Sequence, residues 1–142
     1  MIRPDPIRVF LVDDQTLVRQ GIRSLLALAE GIEVVAEAAD GRQAVELIPQ
    51  VKPDVVLMDM RMPAMSGLEA LQAMGRAGTL PPTIILTTFD DDQLVLAGIK
   101  AGAKGYLLKD VSLEQLVNAI QAVAAGGSLV QPAVTQRLLS GL

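Results

Sequence analysis

Five short apolar runs recur along the chain, and each is followed by a segment with helical spacing. The runs are "IRVFLVDD" (7–14), "IEVVAEAA" (32–39), "DVVLMDM" (54–60), "PTIILTTF" (82–89) and "KGYLLKD" (104–110). The first, third and fourth are nearly continuous in apolar residues, the pattern of strands covered on both faces in a parallel sheet. The second is broken by Glu33 and Glu37, as expected of a strand near a sheet edge.

The intervening segments repeat apolar residues at intervals of three and four. Leu17, Ile22, Leu25, Leu26 and Leu28 can share one broad face. Ala44, Val45, Leu47 and Ile48 follow Gly41, and Leu68, Leu71 and Met74 are spaced by three. Leu94, Val95, Gly98 and Ile99 form a further set. Leu113, Leu116, Val117, Ile120 and Val123 are the clearest set, opened by Ser112 and Gln115 in capping-box spacing. Gly31, Gly75, Gly102 and Gly126–Gly127 are placed as helix stops.

Alternating strands and helices predict right-handed crossovers onto a parallel sheet. The expected product is a three-layer α/β domain over residues 1–127. The segment "SLVQPAVTQRLLSGL" (128–142) stands apart as a linker. Pro132 suits the first turn of a short helix there, with Val134 and Leu138 about one turn apart.

Composition narrows the chemistry. The 142 residues fit one domain. The chain is 51% hydrophobic but only 2% aromatic, so its core is aliphatic. It has no Cys and no His, which removes disulfides, thiolates, imidazole bases and imidazole metal ligands. The net charge is −4 with scattered basic residues, so no basic face for nucleic acid is legible. There is no signal-peptide pattern, and no apolar stretch reaches the roughly 18 residues that span a bilayer. A soluble, cytoplasmic protein without membrane contact is expected.

In open parallel sheets, ligands bind beyond the carboxyl ends of the strands. Here the first strand runs into Asp13 and Asp14, and the third ends in Asp59. The fourth ends in Thr87 and Thr88, and the fifth in Lys109. An ionised carboxylate in apolar surroundings is costly unless it is paired. If the first and third strands are neighbours, three carboxylates converge, and their repulsion calls for a cation. Oxygen ligands alone select Mg²⁺ or Mn²⁺. A Lys and a hydroxyl facing that ion make a site for a dianionic tetrahedral group, which suits phosphoryl transfer. A carboxylate is itself a nucleophile capable of forming an aspartyl phosphate.

Taken singly, each residue also has a structural reading. Asp13 and Asp14 can cap a helix, Asp59 can end a strand, and Thr87 and Thr88 are β-branched strand formers. Lys109 can snorkel from a strand end. Asp90, Asp91 and Asp92 fit the start of the fourth helix. Met58, Met60, Met62 and Met65 read as core and loop filler. The joint placement at four strand ends is what favours a site.

The blocks "FLVDD" (10–14), "DVVLMDMRMPAMSGLEAL" (54–71), "IILTTFDDD" (84–92) and "AGAKGYLLKD" (101–110) resemble the signature blocks of bacterial response-regulator receiver domains. The wording of the last two is most similar to NarL/FixJ-type regulators, whose receiver precedes a LuxR-type helix-turn-helix domain. The resemblance implies a flavodoxin-like (βα)5 fold with strand order 2-1-3-4-5. It implies that Asp59 accepts a phosphoryl group from a sensor histidine kinase in a two-component system. Asp13, Asp14, Asp59 and the backbone carbonyl of Arg61 would bind Mg²⁺. Thr87, with Thr88 beside it, and Lys109 would hold the phosphoryl oxygens, and Tyr106 would be the switch aromatic. The output would be transcription regulation, through self-association as a homodimer or through a C-terminal DNA-binding domain absent from these residues. The protein would be no enzyme beyond Mg²⁺-dependent self-phosphorylation and autodephosphorylation.

Three positions depart from the commonest pattern. Asp110 replaces a frequent Pro, so a trans peptide is expected after Lys109. Ser66 stands where an acidic residue is common and is assigned to helix capping. Arg61 puts a long cation beside the site. A dehalogenase-type phosphatase would need an Asp at position 61. A nucleotide or flavin module would need a Gly-rich phosphate loop, which is lacking. A stand-alone receiver, or a pseudo-receiver that is never phosphorylated, is the remaining alternative.

Overall fold

The computed structural model describes residues 5–87, 92–130 and 139. Strands and helices alternate in the order β1 (Ile7–Val12), α1 (Thr16–Leu26), β2 (Ile32–Ala38), α2 (Gly41–Val51), β3 (Val55–Asp59), α3 (Gly67–Ala77), β4 (Thr83–Thr87), α4 (Asp92–Lys100), β5 (Gly105–Leu108), α5 (Leu113–Ala124) and β6 (Leu129–Val130). All strand pairs are parallel. The order is β2-β1-β3-β4-β5-β6, so the expected flavodoxin-like 2-1-3-4-5 sheet is present and carries one more strand. That strand lies in the segment read as a linker: Leu129 and Val130 pair with Gly105 and Tyr106. Its two residues were too few to show a strand period. The helix expected around Pro132 lies outside the described residues.

The period-2 alternation of the strands sorts the core into two faces. Val9, Leu11, Val55, Leu57, Ile84 and Leu86 pack with Leu26 of α1 and Leu116, Ile120 and Val123 of α5. Phe10, Val12, Val56 and Met58 turn the other way, against Ala44 and Ile48 of α2 and Met74 of α3. A third cluster on that side joins Met60, Leu71, Ile85, Val95, Tyr106 and Leu108. Met62 and Met65 pack at the margin of the second cluster, beside Phe10, Val12, Val56 and Met58, as filler.

Capping follows the sequence. Ser66 with Glu69, and Ser112 with Gln115, form complete capping boxes. Asp40 caps α2 by accepting from the Gln43 amide. Two expectations are corrected. Gly75 lies inside α3, which stops at Gly78 in the left-handed region at φ 72°, the conformation that favours glycine. The broad apolar face of α1 is not all core: Leu17 is 82% and Leu28 76% exposed, and Leu25 is also exposed. Only Leu26 of that helix is fully buried. Leu28 lies past the end of the helix at Leu26, and of the residues on the expected face only Leu26 and Ile22 pack against the core.

Candidate functional site

Parallel strands bring their carboxyl ends to one edge, and the observed order sets β1 beside β3. Asp13 follows β1 and is buried. Its amide donates to the Ala38 carbonyl at 3.2 Å, extending the pairing of β1 with β2 by one residue. Its Oδ1 accepts from the Gln15 amide at 2.8 Å, which fixes the carboxylate at the entrance to α1. The N-cap of α1 is Gln15, with no side-chain cap hydrogen bond, so Asp13 fixes the loop ahead of the helix rather than capping it. Asp14 is exposed. Asp59, the last residue of β3, is buried and lies in register with Leu86. One carboxylate oxygen from each of Asp13, Asp14 and Asp59 lies within 4.8 Å of the others.

Lys109, just after β5, reaches back over this group. Its Nζ stands 3.1 Å from Asp59 Oδ2 and 3.7 Å from Asp13 Oδ2. Its backbone amide donates to the Thr87 carbonyl at 2.9 Å, which locks the end of β5 to the end of β4. The peptide after Lys109 is trans, as expected. Burial pushes the Asp59 carboxyl above its ordinary value. The Lys109 charge and hydrogen bond pull it back, the Asp13 charge pushes it up again, and the Arg61 amide lowers it. That amide lies 3.4 Å from Asp59 Oδ1. Three carboxylates gather beside the Lys109 ammonium, and three hard oxygen donors fit a small divalent cation.

Thr87 is buried at the end of β4. Thr88, Asp90 and Asp91 lie outside the described residues, as does the side chain of Asp92. Tyr106 is 0% exposed. Its hydroxyl has no hydrogen-bond partner among the described residues, and an orphaned buried polar group costs about 1–3 kcal/mol. Burial also pushes its phenol well above the ordinary range.

Two residues escaped sequence reasoning. Arg19 of α1 donates from Nη1 to the Asp13 carbonyl at 2.6 Å and from Nε to Glu37 at 3.2 Å. Arg23 also pairs with Glu37. The partners come from β2 and the β1–α1 loop, so no local spacing announced them. Gly67 opens α3, and its amide donates to the Met60 carbonyl at 3.0 Å. A Cβ there would overlap the Asp59 carbonyl and come within 2.9 Å of Met60 Cα. A Gly just after Ser66 was the available signal.

Known proteins resemble this chain in sequence and fold. The response regulator receiver domain family matches residues 9–121. The nitrate/nitrite response regulator protein NarP of Escherichia coli is 47% identical over 133 residues, covering 94% of this chain and 62% of its own length. The transcriptional regulatory protein YxjL of Bacillus subtilis is 44% identical over 136 residues, covering 96% of this chain and 62% of its own length. This chain therefore spans about three fifths of the curated relatives it matches. A solved two-component response regulator of the LuxR family, from Aurantimonas sp. SI85-9A1, superposes with a TM-score of 0.88 at 34% identity, over 96% of this chain and 98% of that one. With a matching profile, NarP-like relatives and the strand-edge carboxylates in one fold, the chain belongs to the response regulator receiver domain family.

Proposed function

We propose that this domain receives a phosphoryl group on Asp59 from a sensor histidine kinase and uses it to switch a transcription-regulator output. The observation that carries this reading is the buried Asp59 carboxylate held 3.1 Å from Lys109 beside Asp13 and Asp14. A carboxylate oxygen of Asp59 attacks phosphorus while the phosphorus–nitrogen bond of the donor phosphohistidine breaks. The imidazole leaves with the bonding pair and takes a proton.

Mg²⁺ or Mn²⁺, held by Asp13, Asp14, Asp59 and the Arg61 carbonyl, would neutralise the charge gathered at the attack. Asp13 and Asp14 supply ligands without competing as nucleophiles for the same phosphorus. Lys109 pairs with a phosphoryl oxygen, and the Thr87 hydroxyl, with Thr88 beside it, donates to another. Phosphorylation turns the single charge of the Asp59 carboxylate into about two on an acyl phosphate and adds strong acceptor oxygens, which draws these donors inward. Tyr106 answers that movement from β5, and the balance between two surfaces around α4, β5 and α5 shifts.

The output is altered self-association as a homodimer, or release of a DNA-binding domain beyond residue 142. Relatives named as transcriptional regulators are longer than the matched stretch, which supports a receiver joined to a further domain. Strand β6 carries the receiver's sheet to Val130, so the lead into that domain would start after it rather than at 128. Among the described residues no helix is long and apolar enough to cross a membrane, which suits a cytoplasmic site of action.

Incubation with Mg²⁺ and a small phosphodonor, followed by intact-mass measurement, tests the reading. One phosphoryl adduct is expected, lost in Asp59→Ala and lost on chelation. An unmodified mass, under donors that label other receivers, would instead favour a pseudo-receiver acting through protein contacts.

A further inference from the structure

Helix α4 carries a glycine where its own stability asks for a side chain. Gly98 sits well inside Asp92–Lys100, and glycine weakens a helix interior relative to alanine. Its packing gives a reason. A Cβ at position 98 would overlap the Tyr106 hydroxyl. It would also lie 2.8 Å from Ile85 Cδ1 and 3.1 Å from Tyr106 Cζ. The Ile85 contact is with the tip of a flexible side chain and is easily relieved. The overlap with the phenol oxygen is not, because the ring is closed in by Met60, Leu71, Ile85 and Val95.

The same hydroxyl is fully buried and has no hydrogen-bond partner among the described residues. The buried seat of Tyr106 is therefore a balanced one. Ring burial favours it, and the orphaned hydroxyl opposes it. A small change in the room available is enough to tip such a balance.

We infer that Gly98 is the positioning residue of the aromatic gate: the absence of a side chain at position 98 is what lets Tyr106 occupy its buried seat against α4. A side chain at 98 and the Tyr106 hydroxyl cannot share that space, so Gly98→Ala drives the ring outward. The consequence for signalling rests on the proposed role of Tyr106 as the switch. The gate itself does not, and it is measured on the unphosphorylated protein.

The chain has one Tyr and no Trp, so tyrosine fluorescence reports on this ring alone. Acrylamide quenching is compared in the parent and in Gly98→Ala, and melting temperatures in these two, Tyr106→Phe and the double variant. Quenching is expected to be weak in the parent and several-fold stronger in Gly98→Ala. Tyr106→Phe removes the oxygen that a Cβ would strike. Gly98→Ala should therefore lower the melting temperature by several degrees beside Tyr106 and by clearly less beside Phe, where the overlap with the oxygen is gone and only the closer approaches to Cζ and Ile85 remain.

A tyrosine as shielded in Gly98→Ala as in the parent overturns the assignment, whatever the melting temperature. So does equal destabilisation by Gly98→Ala beside Tyr and beside Phe. If Gly98→Ala alone fails to fold, folding of the double variant supports the gate, and its failure to fold overturns it. Failure of the parent to form an adduct with phosphodonor and Mg²⁺ would instead count against the proposed function and leave the gate standing.

Discussion

The Lys109 ammonium lies 3.1 Å from Asp59 Oδ2 and 3.7 Å from Asp13 Oδ2, so one cation serves two buried carboxylates from neighbouring strands. Removing one partner of a buried charge pair leaves the other uncompensated. Lys109→Ala should push the Asp59 carboxyl higher still, because the cation that now lowers it is gone. NMR titration of the Asp59 carboxyl carbon should show the midpoint moving upward. A midpoint unmoved by the substitution would contradict this account of the site.

Asp59 ionises at a cost. Its folded-state value is raised above the ordinary 3.8, so between those two values the folded state holds more protons than the unfolded chain. Stability contributed by this group is then present at low pH and lost as pH rises through that window. Asp59→Asn should stabilise the metal-free protein at neutral pH relative to the parent, and the difference should shrink toward pH 4. Melting curves of both proteins across pH check it.

Three carboxylates within 4.8 Å should make stability depend on divalent cations. Added Mg²⁺ should raise the unfolding free energy by about 2.7 kcal/mol at one hundred times its dissociation constant. EDTA should reverse the gain, and Asp14→Asn should reduce it. Thermal melts across a Mg²⁺ series provide the measurement, and an unchanged midpoint in the parent would argue against a cation site.

Arg19 holds the loop that presents Asp13, through the Asp13 carbonyl and Glu37. Its side chain is only 16% exposed, so its hydrogen bonds are largely shielded from water. Arg19→Ala should cost about 1.5–3 kcal/mol in urea unfolding, as expected for hydrogen bonds to charged groups. It should also weaken Mg²⁺ binding by calorimetry although Arg19 is no ligand. Affinity equal to the parent's would reduce Arg19 to a purely structural role.

Gly67 and Arg61 frame the loop after β3 and test it differently. Gly67→Ala forces a Cβ against the Asp59 carbonyl and should cost about 1–3 kcal/mol, the usual penalty for overpacking. Arg61 is exposed, and its long cation beside the site would either cover the phosphoryl group or pair with the nearby acidic residues. Arg61→Ala should change the phosphoryl half-life, followed as decay of the phosphorylated mass, and unchanged phosphorylation and dephosphorylation rates would remove Arg61 from the account of the site.

Much of this was legible in the sequence because it depends on local period. Continuous apolar runs such as Val55–Met58 mark doubly covered strands, and the boxes at Ser66 and Ser112 mark helix starts. Asp13, Asp14, Asp59 and Lys109 stood out as polar residues closing apolar strands, and the parallel order brings them to one edge. These features follow from backbone geometry and side-chain polarity within a few residues of one another.

What local period cannot express was decided by tertiary packing. The exposure of Leu17 and Leu25 depends on which part of α1 meets the sheet, which no helical spacing encodes. The stop of α3 at Gly78 rather than Gly75 was set by which glycine takes the left-handed conformation. Arg19 meets Glu37 only because β1 and β2 lie side by side. Gly98 looked like one more small residue in a helical stripe. Only the approach of α4 to β5 shows that its missing side chain is the space where the Tyr106 hydroxyl lies. The sequence alone determined the first five strands, the helices between them and the charges at the sheet edge, because those are properties of short segments, whereas the two-residue β6 emerged only in the sheet. The fold decided who touches whom, because close contacts join residues far apart in the chain.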